Sequence, residues 1–290
     1  MTSTAIIADS IACITKEQAE DYGIRIIPVN ILFNGQVYRD FIDLSSTQAY
    51  EFLKKAPEFW KSSAASPEDY LEAYRELSKH GRSILAVTIS SKLSMFYCSA
   101  QNAKELFKEE SPQTAIEVLD SETVAAAEGL IALAAARAAA EGKSFDEVIS
   151  IAKKVKGRVK FAGLLETIRH VYRTGRMPKV ASEIGSMLSI KPILTGSNGN
   201  IRFAAAARTK QSGIEKMLQI MRNHVANSEP VHVAVMHADA LEEAEELKEK
   251  IATEFNCAEI FITDFSPIMG YATGRGTLAL AYYKEDRFDK

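Results

Sequence analysis

Apolar residues recur along this chain with two different periods, and the two alternate. TAIIA (4–8), SILAVTI (83–89) and AIEVLD (115–120) are apolar at nearly every position, as strands buried on both faces are. Between them lie longer segments with apolar residues three and four apart. TKEQAEDYG (15–23) predicts a short helix with Thr15 as cap, Gln18 in the reciprocal position and Gly23 at its stop. IRIIPVNILF (24–33) predicts one strand, and Asn34-Gly35 predicts a hairpin turn into VYRDF. SSTQAYEFLKK predicts a helix. Ser66-Pro67-Glu68-Asp69 opens another: a hydroxyl cap, proline at the first position, then acids on the positive dipole end. A helix is predicted from about Leu93. The alanine-rich stretch after residue 125 predicts the next, and Ser144-x-x-Glu147 starts one more. Strand–helix alternation of this kind predicts a mainly parallel sheet with helices on both faces.

After about residue 157 the pattern changes. VKFAGLLE reads as a strand, and TGSNGNIRF reads as a hairpin turn between SIKPIL and IRFAAAA. Helix KQSGIEKMLQIMRNHV, strand VHVAVMHA, helix LEEAEELKEKIATEF and strands EIFITDF and GTLALAYY follow. Hairpins mixed with crossovers predict a second α/β domain with a mixed sheet. The basic, glycine-containing segment KVKGRVK divides the chain into domains 1–157 and 158–290.

Composition narrows the function classes. The 290 residues are 47% apolar, enough for two cores, and the net charge of −3 argues against an extended nucleic-acid footprint. Three scattered cysteines with no ligand spacing predict neither a disulfide framework nor a zinc site. No signal-peptide pattern opens the chain and no apolar run is long enough to span a bilayer. A cytoplasmic protein with at most transient membrane contact is expected.

Candidate chemistry collects where loops follow strands, the place where open α/β sheets bind ligands. ADS (8–10), KSSAAS (61–66), SSKLS (90–94), DSETVA (120–125) and GYATGRG (270–276) are rich in hydroxyls and small residues. Only Asp9, Asp120 and Glu122 add acid near them, which suits an anion held by neutral donors. Ser66 is a cap. The aspartates of ADS and LDS are expected to hold local turns. Ser94 is less easily explained as a cap, because Ser90 and Ser91 precede it. The five histidines converge on no motif, and His232 and His237 read as structural strand residues. G-x-S-x-G, G-x-x-x-x-G-K-[ST] and G-x-G-x-x-G are all absent. The cationic stretch RHVYRTGRMPK is either a solvated loop or a docking patch for an acidic partner.

These loops, in this order, resemble the DegV family, the fatty-acid-binding subunits of bacterial fatty acid kinases. DSIAC (9–13) stands where the family has D-S-T-x-D, and SSAASP (62–67) where it has T-S-Q-P-S-P. SSKLSMFYCSA (90–100) stands for S-S-x-L-S-G-T-Y-x-S-A, and VLDS (118–121) for V-I-D-S. YRTGR followed by LSIKPIL, and the closing GYATGRG, complete the likeness across the chain.

The resemblance implies a two-domain α/β protein with an acyl chain buried in its N-terminal domain. It implies that the carboxylate is held by the hydroxyls of Ser62 and Ser94, with Ser63, Ser91 and Met95 beside them. It further implies a carrier rather than an enzyme, needing no cofactor. A separate ATP-dependent kinase subunit would dock near Arg173, Arg176 and Arg202 and phosphorylate the bound acid. Two departures matter: Met95 replaces a glycine, and Ala272 replaces a histidine, so Arg275 in the same loop is a candidate to restore a polar contact. A sixteen-carbon tail buries about fourteen methylenes at roughly 0.8 kcal/mol each, about 11 kcal/mol gross, so the head needs only satisfied hydrogen bonds. The alternatives are a serine-dependent esterase or acyltransferase, or a binder of another amphipathic anion.

Overall fold

The computed structural model of the chain describes residues 4–55, 60–79, 83–175 and 190–285. The chain packs into two compact units, Met1–Leu44 with Glu58–Gly157, and Ser45–Pro57 with Arg158–Lys290.

The first unit opens with β1 (Thr4–Asp9), a 3-10 turn at Ser10–Ala12 and α1 (Lys16–Tyr22). Thr15 and Gln18 form the reciprocal cap of α1, and Gly23 ends it in the left-handed region at φ 60°. The run 24–33 does not stay one strand. It divides into β2 (Arg25–Ile27) and β3 (Asn30–Phe33), which join different sheets. Pro28 lies at the break, where it has no N–H to give a ladder. Asn34 (φ 49°) and Gly35 (φ 78°) turn β3 into β4 (Gln36–Arg39), as a tight hairpin requires.

After α2 (Ser46–Lys55), which belongs to the second unit, the first unit resumes with β5 (Lys61–Ser63) and α3 (Pro67–Ser78). Then come β6 (Ser83–Thr88), α4 (Phe96–Glu110), β7 (Ile116–Asp120), α5 (Ala126–Ala140) and α6 (Phe145–Arg158). Four strands form a wholly parallel sheet in the order β2-β1-β6-β7, in register Ile6 to Leu85 and Leu85 to Glu117. The two central strands are buried almost throughout, which explains their uninterrupted apolar runs. Helix α5 is buried on nearly every side, with Leu130, Ile131 and Leu133 among the largest enclosed side chains. β4, β3 and β5 form a separate antiparallel sheet in that order. The segment KSSAAS is therefore not only a loop: Lys61–Ser63 is the edge strand of this sheet.

The second unit contains α2, β8 (Lys160–Leu164), α7 (Arg169–Arg173), β9 (Lys191–Ser197), β10 (Asn200–Ala207), α8 (Lys210–Arg222), β11 (Val231–His237), α9 (Leu241–Glu254), β12 (Cys257–Asp264), α10 (Pro267–Thr273) and β13 (Leu278–Lys284). Its sheet runs β10-β9-β8-β13-β11-β12, with β11 and β12 parallel and the other pairs antiparallel. Met217, Met221, Leu247, Ile251, Val233 and Leu280 fill its core. Two segments read as loops carry helix instead: RHVYR forms α7, and Gly270–Thr273 belongs to α10. Gly270 sits against the Tyr50 ring of α2, where a Cβ would approach within 2.5 Å. Among the described residues no helix is long and apolar enough to cross a membrane.

Candidate functional site

In the first unit three parallel strands end side by side, at Asp9, Thr88 and Asp120, and their following loops are laced together. Asp9 Oδ2 accepts the Ile89 N–H at 2.9 Å, and Asp9 Oδ1 accepts the Ile11 N–H at 3.0 Å. The Ser90 N–H donates to the Thr123 carbonyl and the Ser121 N–H to the Thr88 carbonyl, each at 3.0 Å. Asp120 accepts the N–H of Glu122 at 2.9 Å and that of Ser91 at 3.3 Å. Both aspartates thus hold their own turns and, in addition, clamp the 89–94 loop. Ser10 ties the small sheet to the same edge: its hydroxyl donates to Asp40 at 2.6 Å and accepts the Val29 N–H.

The serines at this edge differ in what they have left to offer. Ser66 is engaged with Asp69 in a reciprocal cap of α3. Ser90 is fully buried, and its hydroxyl accepts the Lys92 N–H. Ser121 bonds within its turn to Thr123. Ser62, paired with Ile31 on β5, and Ser94, just before α4, are both half-buried. Among the described residues neither of their hydroxyls has a hydrogen-bond partner. Ser63 and Ser91 are exposed.

Ser94 does not cap α4. Its own N–H donates back to the Ser90 carbonyl at 3.2 Å, which removes it from the set of free donors expected there. Met95 is the N-cap and supplies no side-chain acceptor, so the first-turn N–H groups of this 15-residue helix lack a cap. Met95 does not need to be glycine: its φ of −90° is ordinary for any residue. Its side chain is 62% exposed, whereas Phe96 is fully buried with its ring edge-on to Tyr70 at 6.4 Å.

Beneath the loops lies a carboxyl pair that the sequence reading overlooked in part. Glu128, the third residue of the alanine-rich α5, is as buried as Asp9, on a helix that packs close to the turn after β1, and neither of its carboxyl oxygens has a hydrogen-bond partner among the described residues. Gly129 allows this approach, since a Cβ there would meet the Ala12 carbonyl oxygen at 2.4 Å. Burial pushes the Asp9 carboxyl up from 3.8 to about 7, against the opposing pull of the Ile89 N–H, the Glu128 side chain and the Ile11 N–H. Burial, then the Asp9 charge, raises Glu128 well above its usual value. The only sequence signal was a lone acid near the start of an alanine-rich helix.

The remaining candidates lie in the second unit or outside the described residues. Ala272 is on α10, and the Arg275 guanidinium is engaged by Asp239. Arg202 is exposed on the edge strand β10, Arg173 is the last residue of α7, and Arg176 lies outside the described residues. His232 stands between Glu259 at 3.0 Å and Glu285 at 2.9 Å, and His237 faces Asp264 at 3.2 Å, so both are satisfied strand residues. His170, on α7, packs against Gly274, whose φ of 88° and close contact leave no room for a side chain. Among the described residues no group of three or more histidines, cysteines or acids could hold a metal ion.

A parallel sheet with Ser94 ahead of an uncapped helix at its strand ends, a small antiparallel sheet carrying Ser62 on its edge strand, and a mixed-sheet unit in the same chain define a two-unit α/β protein. Residues 3–285 match the family model described as an uncharacterised protein of the DegV family. A DegV domain-containing protein of Clostridium perfringens is 30% identical over 280 residues, 97% of this chain and 98% of that one. The crystal structure of DegV from Bacillus subtilis, described as a fatty acid binding protein, is 28% identical with a TM-score of 0.89, covering 98% of this chain and all of that one. A DegV-family structure from Ruminococcus gnavus, described with vaccenic acid, is 26% identical with a TM-score of 0.88, covering 97% and 99%. The chain belongs to the DegV family.

Proposed function

We propose that this protein binds a long-chain fatty acid, with its carboxylate on the hydroxyls of Ser62 and Ser94 and its acyl chain inside the first unit. The observation that carries this reading is the pair of half-buried hydroxyls with no partner among the described residues. A half-buried hydroxyl bonds protein or water, and these two, with no partner among the described residues, are left for an acceptor from outside. The uncapped first turn of α4 adds N–H donors and a dipole end that favours an anion. The related Bacillus structure, described as a fatty acid binding protein, and the Ruminococcus structure, described with vaccenic acid, support the choice of acid. The protein acts as a carrier: it presents the acid to a separate ATP-dependent kinase subunit, which makes the acyl phosphate. Arg173, Arg176 and Arg202 are the residues assigned to that partner.

Native mass spectrometry of protein purified from bacteria tests the reading. A co-purified mass matching a long-chain fatty acid, lost in Ser62→Ala/Ser94→Ala with the fold intact, supports it. Retention by the double variant overturns the head-group assignment. A covalent serine adduct or turnover of a nitrophenyl ester would replace the carrier by an esterase.

A further inference from the structure

The sheet of the second unit ends on β10, and that edge is open. Asn198 (φ 49°) and Gly199 (φ 78°) make the two-residue turn from β9. Ser197 and Asn200 therefore face each other as a bonded pair, and so do Thr195 and Arg202. The backbone N–H and C=O of Ile201 and Phe203, which lie between and beyond these pairs, point away from β9. Among the described residues nothing meets them. After Phe203 a register shift ends the regular edge, and the Ala206 carbonyl accepts the Lys216 ammonium at 2.6 Å.

Side chains alternate across this edge. Ile201 and Phe203 lie on one face, half-buried against Leu165, Val171 and Leu194. Arg202 lies on the other face, exposed and with no ion-pair partner among the described residues. Arg208, just past the strand, is exposed and unpaired among them as well. No acid occurs between Glu183 and Glu215. Lys191 and Lys210 in that stretch are held by Glu166, which leaves the charge of the edge to the two arginines.

We propose that β10 is a docking edge that takes an extended segment of a partner protein as an added strand, with apolar and acidic residues alternating along that segment. Backbone bonds to Ile201 and Phe203 hold it. Its apolar residues extend the cluster of Leu165, Val171 and Leu194 past Phe203, and its acids lie beside Arg202. A second copy of this chain does not fit. A two-fold pairing that uses both Ile201 and Phe203 sets Arg202 directly opposite its own copy, where like charges repel, and the acid-free stretch has nothing to neutralise them. The docking edge is independent of the bound lipid; only naming the partner as the kinase subunit rests on the proposed function.

Two synthetic heptapeptides test this on the full chain. One alternates glutamate with valine; the other is the same peptide with every backbone N–H methylated, which keeps the charge and removes the donors of an added strand. Amide exchange of Ile201 and Phe203 should slow tenfold or more with the first peptide and stay unchanged with the second. No slowing at millimolar peptide, or equal slowing with the methylated one, overturns strand addition. Arg202→Glu should weaken the glutamate peptide tenfold or more and bind a lysine–valine peptide instead; unchanged preference overturns the acidic pattern. A dimer in sedimentation whose Ile201 and Phe203 amides lose protection on dilution overturns the choice of occupant. The fatty acid carried by the same sample is read by mass. A chain that takes the peptide but carries no fatty acid refutes the lipid reading and leaves the docking edge standing.

Discussion

Replacing Asp9 by asparagine should change how the stability of this protein depends on pH more than it changes stability itself. The carboxyl is fully buried, and its affinity for a proton is raised from 3.8 to about 7. A group that holds its proton more tightly folded than unfolded stabilises the fold most below its unfolded value. That stability is lost as pH rises towards the folded value. One unit is worth about 1.36 kcal/mol, so the full loss is about 4 kcal/mol, of which roughly 2–3 kcal/mol falls between pH 5 and pH 8. Glu128, raised by burial and then by the Asp9 charge, adds a slope of the same sign, which the substitution lessens by removing that charge. Asparagine carries no titrating proton but brings its own cost. The two carboxyl oxygens accept two different backbone N–H groups, and a carboxamide has one acceptor, so one N–H meets a second donor at a cost of about 1–3 kcal/mol. Urea unfolding at pH 5 and pH 8 therefore has a definite expected pattern. Asp9→Asn should be clearly less stable than wild type at pH 5. At pH 8 the gap should narrow by about 2–3 kcal/mol. Parallel pH curves for the two proteins would refute the reasoning, because they would show that Asp9 titrates alike in the folded and unfolded chain.

Single substitutions Ser62→Ala and Ser94→Ala should shift unfolding free energy by less than about 0.5 kcal/mol, since neither hydroxyl has a partner to lose among the described residues; each should weaken fatty acid binding tenfold or more in a titration with a fluorescent fatty acid. Phe96→Ala should cost about 3–5 kcal/mol in the same urea assay, because the ring is fully enclosed against Tyr70. Gly274→Ala should destabilise by more than about 1 kcal/mol, the sum of a left-handed φ of 88° and a collision with His170 at 2.3 Å. An unaltered melting curve for Gly274→Ala would show that the α7 and α10 segments can part at no cost.

Much of the local structure was legible because it is decided by short-range physics. The cap at Thr15–Gln18, the turn at Asn34-Gly35 and the proline-led start of α3 each involve atoms within four residues. The apolar runs 4–8 and 83–89 could only be central strands. Where the reading went astray, the deciding partner was distant. Pro28 ends one strand, but that β3 joins a second sheet depends on β4 and β5. Lys61–Ser63 looks like a polar loop and becomes a strand because β3 offers it an edge. The segment RHVYR reads as cationic surface, yet its His170 packs against Gly274, about a hundred residues along the chain.

The candidate site divides in the same way. That the loops suit an anion held by neutral donors, and that Asp9 and Asp120 hold turns, followed from residue types and their place after strands; the choice of Ser62 and Ser94 came from the resemblance to the family. Which hydroxyls remain free could not follow, because a serine is spent or spared by partners that only packing brings near. Glu128 shows the limit most clearly. On paper it is one acid in an alanine helix. In the fold, Gly129 lets that helix close on Ala12, and the carboxyl is buried where the charge of Asp9, more than a hundred positions away, raises its hold on a proton. Hydrophobic period, caps and turns are encoded locally and survive in the bare sequence. The charge state of a buried group is set by what surrounds it, and that is determined only when the chain has closed on itself.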